Sequence, residues 1–132
     1  MQISHARLEC AVAAMRSDLS QRPEHERRLL PRYRVWAPTM VVPCDADGAK
    51  AGASFEVWVL DLSRGGVGFI SGRPLKIGQA FRFTLPSDDP EVRPLHTVSE
   101  VVYGSPAAAG SHTFGARFVA ELPAAEPARR AS

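Results

Sequence analysis

The chain has 132 residues, and its 16 Lys and Arg against 14 Asp and Glu give a formal net charge of only +2. This length fits one domain with a core of its own. The weak net charge argues against binding nucleic acid or a membrane over the whole surface. Ten Gly and eleven Pro indicate many turns, which favours a mainly β fold over long helices.

The two cysteines, Cys10 and Cys44, lie in segments of different character and show neither CxxC nor Cys/His spacing. We therefore expect free thiols in a reducing compartment and no metal site. The sequence has no run of about 18 apolar residues and no signal-peptide pattern, so it predicts a cytoplasmic protein without a membrane span.

The first predicted element is an amphipathic helix with Ser4 as its N-cap. Its apolar residues recur at offsets of three and four: Leu8, Ala11, Val12, Met15 and Leu19. We expect this face to pack on the rest of the domain or on a second copy, with effector docking or a membrane surface as the alternative. Residues 1–25 are assigned to this helix and a linker that contains Pro23.

From Tyr33 onward the sequence changes to short β-rich runs separated by Gly, Pro, Asp and Ser. We predict six strands, at residues 34–42, 54–61, 67–71, 80–85, 95–103 and 112–119. A barrel or sandwich is therefore predicted for residues 26–122, followed by a flexible tail at 123–132. Residues 43–50 and 104–110 are predicted as hairpin loops, the first as a solvated tip rather than a calcium site.

The densest charge in the chain is the segment Glu-Arg-Arg-Leu-Leu-Pro-Arg-Tyr-Arg at residues 26–34. A basic run is commonly just a solvated face. Pro31, however, predicts an extended arm beside the barrel, because a helix does not continue through it. The guanidinium group binds phosphate, or the O6/N7 edge of guanine, through two parallel hydrogen bonds. Arg27, Arg28 and Arg32 are therefore candidate contacts for a purine-phosphate ligand.

A second motif joins the second and third predicted strands, where Asp61 is followed by Leu-Ser-Arg-Gly-Gly. The simpler interpretation is a polar turn whose glycines, Gly65 and Gly66, supply positive φ. The binding interpretation gives each residue a task. Asp61 accepts from the N–H donors of guanine, Ser63 donates or accepts, and Gly66 lets a ligand approach the backbone.

These two motifs resemble those of the PilZ domain family. Arg28 and Arg32 match its RxxxR motif, residues 61–66 match its [DN]xSxxG motif, and the similarity extends over roughly residues 26–120. The resemblance implies a six-stranded antiparallel β-barrel of the split-barrel type that binds cyclic di-GMP. It also implies a sensor that signals to a protein partner, which the sequence does not identify.

The resemblance further implies a role for each site residue. Arg28 and Arg32 contact phosphate and guanine from an arm that wraps over the ligand, and the 61–66 turn forms the opposite wall. Arg27 lies directly before the RxxxR motif, and in similar domains an arginine at this place is associated with binding of a stacked pair of ligands. Trp36 or Tyr33 is a candidate stacking face, although core packing explains either equally well. We expect the ligand to order residues 26–34 and to reposition the N-terminal helix, which is also a candidate homodimer contact.

Three other functions are considered. An enzyme has little support, because no nucleophile has an identifiable base and the histidines are scattered. A barrel of this family that works only through a protein partner, without cyclic di-GMP, is the main alternative. A small barrel that binds single-stranded nucleic acid is disfavoured by the near-neutral charge.

Overall fold

The computed structural model describes residues 1–16, 33–106 and 110–122. The predicted ligand residues Arg27, Arg28 and Arg32, the linker before them and the tail at 123–132 lie outside the described residues. The elements in chain order are α1 (His5–Met15), β1 (Tyr33–Cys44), β2 (Phe55–Leu62), β3 (Gly66–Ser71), β4 (Ala80–Leu85), β5 (Leu95–Pro106) and β6 (His112–Leu122). The prediction of a mainly β fold with an N-terminal helix is confirmed.

The six strands form a closed barrel in the order β1-β2-β3-β6-β5-β4, and every neighbouring pair is antiparallel. The predicted six-stranded antiparallel barrel is therefore confirmed. The start of the predicted loop at 104–110 is wrong, because β5 continues through Pro106 and pairs there with His112. Ladder hydrogen bonds to β6 outweigh the turn preference of Gly and Pro in this stretch.

Phenylalanine rings fill the barrel interior. Phe69 and Phe81 meet edge to face with ring centroids 5.5 Å apart, and Phe83 stacks on Phe118 at 6.3 Å. All four are at most 2% exposed. Because full burial of such a side chain contributes about 1.5–3 kcal/mol, these rings account for much of the stability of the barrel.

Helix α1 packs on its own barrel. Ser4 is the N-cap, as predicted, and its hydroxyl accepts a hydrogen bond from the Arg7 amide at 3.1 Å. The buried face consists of Leu8, Ala11, Val12 and Met15, which belong to the same apolar cluster as the barrel interior. Leu19 lies outside the described residues. In the described part of the chain, no helix is long and apolar enough to cross a membrane.

Residues 3–16 contact the end of the barrel at which β1 begins and β2 ends. The hydrogen bonds run from Ile3 N to Arg64 O (2.9 Å), from Arg7 Nη1 to Arg93 O (2.9 Å) and from Arg16 Nε to Arg34 O (2.6 Å). The hairpin between β1 and β2 lies at the opposite end, because it follows Cys44 at the far end of β1. The helix, and not this hairpin, is therefore the neighbour of the 61–66 turn.

Candidate functional site

A β-bulge turns the Asp61 side chain to the outside of the barrel. Val57 and Val59 point inward, so simple alternation along β2 would place Asp61 inside as well. Relative to β3, however, β2 carries one extra residue, Leu60, between Val59 and Asp61. The bulge shifts the alternation by one position, so that Leu62 enters the core and Asp61 faces outward.

A second bulge does the same for Tyr103 on β5. Val101 is buried in the core and pairs with Ala116, while Tyr103 pairs with Gly115. Val102 is therefore an extra residue relative to β6, and Tyr103 faces outward with 49% of its surface exposed. The two bulges place a carboxylate and an aromatic ring on the same outer surface.

Strand pairing aligns these side chains in one row across the barrel, the outer row: Arg34, Asp61, Gly68, Gly115 and Tyr103. The two glycines form its floor. An added Cβ on Gly68 would lie 2.8 Å from the Asp61 carboxylate, and one on Gly115 would collide with the Tyr103 ring. The carboxylate and the ring thus lie flat against bare backbone, over two glycines that are direct partners in the β3–β6 ladder.

The 61–66 turn adjoins the outer row. The Ser63 amide donates to the Gly66 carbonyl at 3.0 Å, and the Ser63 hydroxyl accepts from the Gly65 amide at 3.3 Å. The Gly65 carbonyl accepts from the Phe118 amide at 2.9 Å, which attaches the turn to β6. The turn therefore has a defined shape in which Ser63 and Asp61 share one edge of the outer surface.

The glycines of the turn are not explained by positive φ, which occurs among the described glycines only at Gly48, Gly78 and Gly110. Gly66 is explained by packing, because a Cβ there would collide with the Ala116 carbonyl oxygen of β6. Gly65 has nothing within 4 Å of a Cβ position. Close strand approach therefore requires Gly66, whereas Gly65 leaves open space beside the turn.

Charged side chains border this surface. Arg117 pairs with Gly66 in the β3–β6 ladder, and its Nη2 donates to the Glu100 carboxylate at 2.8 Å. Arg34 stands opposite Asp61 in the β1–β2 ladder. The surface thus carries guanidinium groups on both sides of the turn as well as the Asp61 carboxylate.

The structure brings four of the seven predicted site residues together: Asp61, Ser63, Gly65 and Gly66 lie in the turn at the end of the outer row. The other three, on the arm, lie outside the described residues. Of the two candidate stacking residues, Tyr33 packs against the core. Trp36 is 60% exposed and contacts Trp58 edge to face at 5.4 Å.

Sequence reasoning missed Tyr103, Gly68, Gly115 and Arg117. Nothing in the local sequence shows that the Tyr103 ring lies over Gly115, because the two residues belong to different strands and β5 is bulged. A small residue opposite an exposed aromatic is the signal that would have found this pair, but only with the strand register known. The missed residues extend the site from a turn to a surface.

Comparison with protein-family models matches residues 21–130 to the PilZ domain. Searches of curated proteins and of solved structures found no match. The family match covers most of the chain, including the 61–66 turn and the arginine-rich segment before β1. PilZ domains are generally cyclic di-GMP receptors, ligand-binding or adaptor domains rather than enzymes. With its closed six-stranded barrel and its N-terminal helix, this chain belongs to the PilZ domain family.

Proposed function

We propose that this protein is a cyclic di-GMP receptor that binds its ligand between the outer row and the arm carrying Arg27, Arg28 and Arg32. The observation that carries the proposal is the orientation of Asp61, which a bulge turns outward beside a glycine floor. A position inside the core would be the default for a side chain in line with Val57 and Val59, so the half-buried position of Asp61 on the outer surface needs a reason. Recognition of a ligand at the surface is such a reason.

The chemistry of the outer row suits a guanine base. An ionised carboxylate only accepts hydrogen bonds, which complements the two N–H donors on guanine's Watson–Crick edge. The Tyr103 ring offers a stacking face for a base, and base–aromatic stacking contributes about 1–3 kcal/mol. Because Gly68 and Gly115 carry no side chain, the carboxylate and the ring lie close to the barrel, and a flat base would stack on the outer face of the Tyr103 ring.

The arm supplies the phosphate contacts in this proposal. Arg32 directly precedes Tyr33, whose partner in the β1–β2 ladder is Leu62 at the start of the turn. Arg28 lies five residues before Tyr33, so an extended chain reaches about 18 Å from that point. This is comparable with the length of the outer row around the barrel surface, which spans four strand spacings of about 4.8 Å from β1 to β5. The chain length thus permits two guanidinium groups to reach a ligand on the outer row.

A stacked pair of ligand molecules is part of the proposal. Arg27 adds a third guanidinium to the arm, and a pair of cyclic dinucleotides carries four phosphates. Tyr103 and Arg117 widen the surface beyond the 61–66 turn, which gives a second molecule further contacts. We also propose a cytoplasmic receptor that passes the signal to a protein partner. The apolar face of α1 is occupied by its own barrel, so a homodimer would have to use another face of the helix.

Isothermal titration calorimetry tests the proposal directly. We expect binding of cyclic di-GMP that weakens with salt, because phosphate contacts contribute much of the free energy. Arg28→Ala and Arg32→Ala should each cost on the order of 2–4 kcal/mol, since each leaves a charged partner unpaired. Arg73→Ala is the matched control, because this guanidinium lies 4.0 Å from the centroid of the Phe55 ring, at the other end of the barrel.

Two outcomes would replace this function by its alternatives. Absence of heat at micromolar protein and ligand, with the barrel intact by circular dichroism, would favour an adaptor that works only through a protein partner. Displacement of cyclic di-GMP by single-stranded oligonucleotides would favour a nucleic-acid-binding barrel. Unchanged affinity in both Arg28→Ala and Arg32→Ala would show that the ligand binds elsewhere on the barrel.

A further inference from the structure

The segment before and within α1 is attached to the 61–66 turn by a reciprocal pair of hydrogen bonds. The Ile3 amide donates to the Arg64 carbonyl at 2.9 Å, and Arg64 Nε donates back to the Ile3 carbonyl at 2.8 Å. Ile3 itself is 3% exposed and belongs to the barrel core. The guanidinium of Arg64 therefore holds the N-terminal segment against the turn.

The far end of the same segment is attached to the other side of the site. Arg16, the C-cap of α1, donates from Nε to the Arg34 carbonyl at 2.6 Å. Arg34 stands opposite Asp61 in the β1–β2 ladder. Residues 3–16 thus bridge the turn that follows Asp61 and the strand that lies beside it. We call residues 3–16 the brace.

The strand ladders hold both ends of the turn, but few other hydrogen bonds hold its middle. Among the described residues, the bonds inside it are Ser63 N to Gly66 O, Ser63 Oγ to Gly66 O and Gly65 N to Ser63 Oγ, and Phe118 N bonds to Gly65 O. Gly65 has no neighbour within 4 Å of its Cβ position. Local opening of such a turn costs little free energy unless neighbouring elements hold it. The pairing with Ile3 is therefore a substantial part of what keeps the turn in shape.

The brace holds its position because α1 shares the barrel core. Its four buried side chains join the apolar cluster that includes Val35 and Leu62. An isolated helix of 11 residues is marginal in water, so α1 depends on this docking for its own stability. Undocking of α1 would consequently release Ile3, and with it the restraint on Arg64.

We infer that the brace positions the 61–66 turn for its ligand, so that docking of α1 and occupancy of the site strengthen each other. This inference rests on the proposed function. It makes Ile3 and Arg64 positioning residues, which act through the turn. It also differs from the expectation that the ligand repositions the helix, because these contacts favour stabilisation of the docked helix. By linkage, the ligand must raise the equilibrium constant for docking of α1 by the same factor by which docking raises the affinity for the ligand.

Two variants weaken the brace by different routes. Leu8→Ala removes a fully buried side chain from the docked face of α1, and Arg64→Met keeps an unbranched stem but removes the donor to Ile3. Because Leu8 is 0% exposed, its effect on affinity cannot come from a lost ligand contact. Glu9→Gln on the exposed face is the surface control. Val41→Ala is the control for general loss of core packing, at the barrel end away from the turn.

Calorimetry and amide hydrogen exchange measured by NMR test the inference in the full chain. We expect both brace variants to bind cyclic di-GMP roughly five- to tenfold more weakly, with both controls near the wild type. Without ligand, the Ser63 and Gly65 amides should exchange faster in the brace variants only. In the wild type, cyclic di-GMP should slow exchange throughout α1.

The outcomes separate this inference from the proposed function. If the wild type binds cyclic di-GMP but the brace variants match Val41→Ala in affinity and in exchange of the turn amides, the brace is overturned and the receptor function stands. If the wild type binds no cyclic di-GMP, the receptor function and the linkage both fail. If the ligand speeds exchange in α1, the sign of the linkage is wrong and the helix is displaced on binding.

Discussion

Replacement of Gly66 by alanine provides a sharp test of the site's architecture. The new Cβ would collide with the Ala116 carbonyl oxygen and lie 3.2 Å from both the Ala116 carbonyl carbon and the Arg117 Cα. These are backbone atoms of β6, so no side chain can rotate away. Strand β3 would have to separate from β6 at the point where the 61–66 turn ends and β3 begins.

The cost follows from two contributions. Overpacking at a site that cannot relax costs about 1–3 kcal/mol. Separation of the strands also weakens a ladder hydrogen bond and the bond from the Ser63 amide to the Gly66 carbonyl, each contributing about 0.5–1.5 kcal/mol. We therefore expect Gly66→Ala to lower the free energy of unfolding by about 2–6 kcal/mol.

Gly65→Ala is the matched control one residue away. Its Cβ would meet no atom within 4 Å, and its φ is not positive, so the free energy of unfolding should change by less than about 0.5 kcal/mol. Urea unfolding followed by tryptophan fluorescence and far-UV circular dichroism measures both variants. Equal stability of Gly66→Ala and Gly65→Ala would refute the claim that strand contact requires a glycine at position 66.

Three further predictions concern other parts of the barrel. Tyr103→Ala should weaken cyclic di-GMP binding by about 1–3 kcal/mol in calorimetry while Tyr103→Phe keeps it, because stacking needs the ring and not the hydroxyl; equal losses in both would exclude stacking. Thr97→Val should cost about 1 kcal/mol in urea unfolding, since the buried hydroxyl donates to the Phe83 carbonyl at 3.1 Å; an unchanged midpoint would contradict this. Burial raises the pKa of the Cys44 thiol, so less thiolate is present at pH 8 than at an exposed cysteine. Iodoacetamide should then label Cys10 before Cys44 in peptide mass spectrometry, and equal rates would show that Cys44 is accessible.

Much of the fold was predictable because its signals are local. Short β-rich runs separated by Gly, Pro, Asp and Ser located all six strands, and the apolar spacing with Ser4 located α1. Strand ends were less accurate. Strand β5 extends to Pro106 because pairing with β6 stabilises extended backbone where the local sequence favours a turn.

The site was predictable in part. Asp61, Ser63, Gly65 and Gly66 were identified as one motif, and the structure places them in one turn. The reason for Gly66 was different from that expected, since backbone atoms of β6 occupy the space that a ligand was expected to need.

By itself, the sequence determined the strand count, the N-terminal helix and a pair of motifs with the chemistry for guanine and phosphate, because each depends on neighbouring residues. Tertiary structure decided which way Asp61 and Tyr103 face and that Ile3 holds Arg64. Those features depend on strand register and on one-residue bulges. A bulge reverses every side chain beyond it, and whether one forms is settled only when neighbouring strands pair.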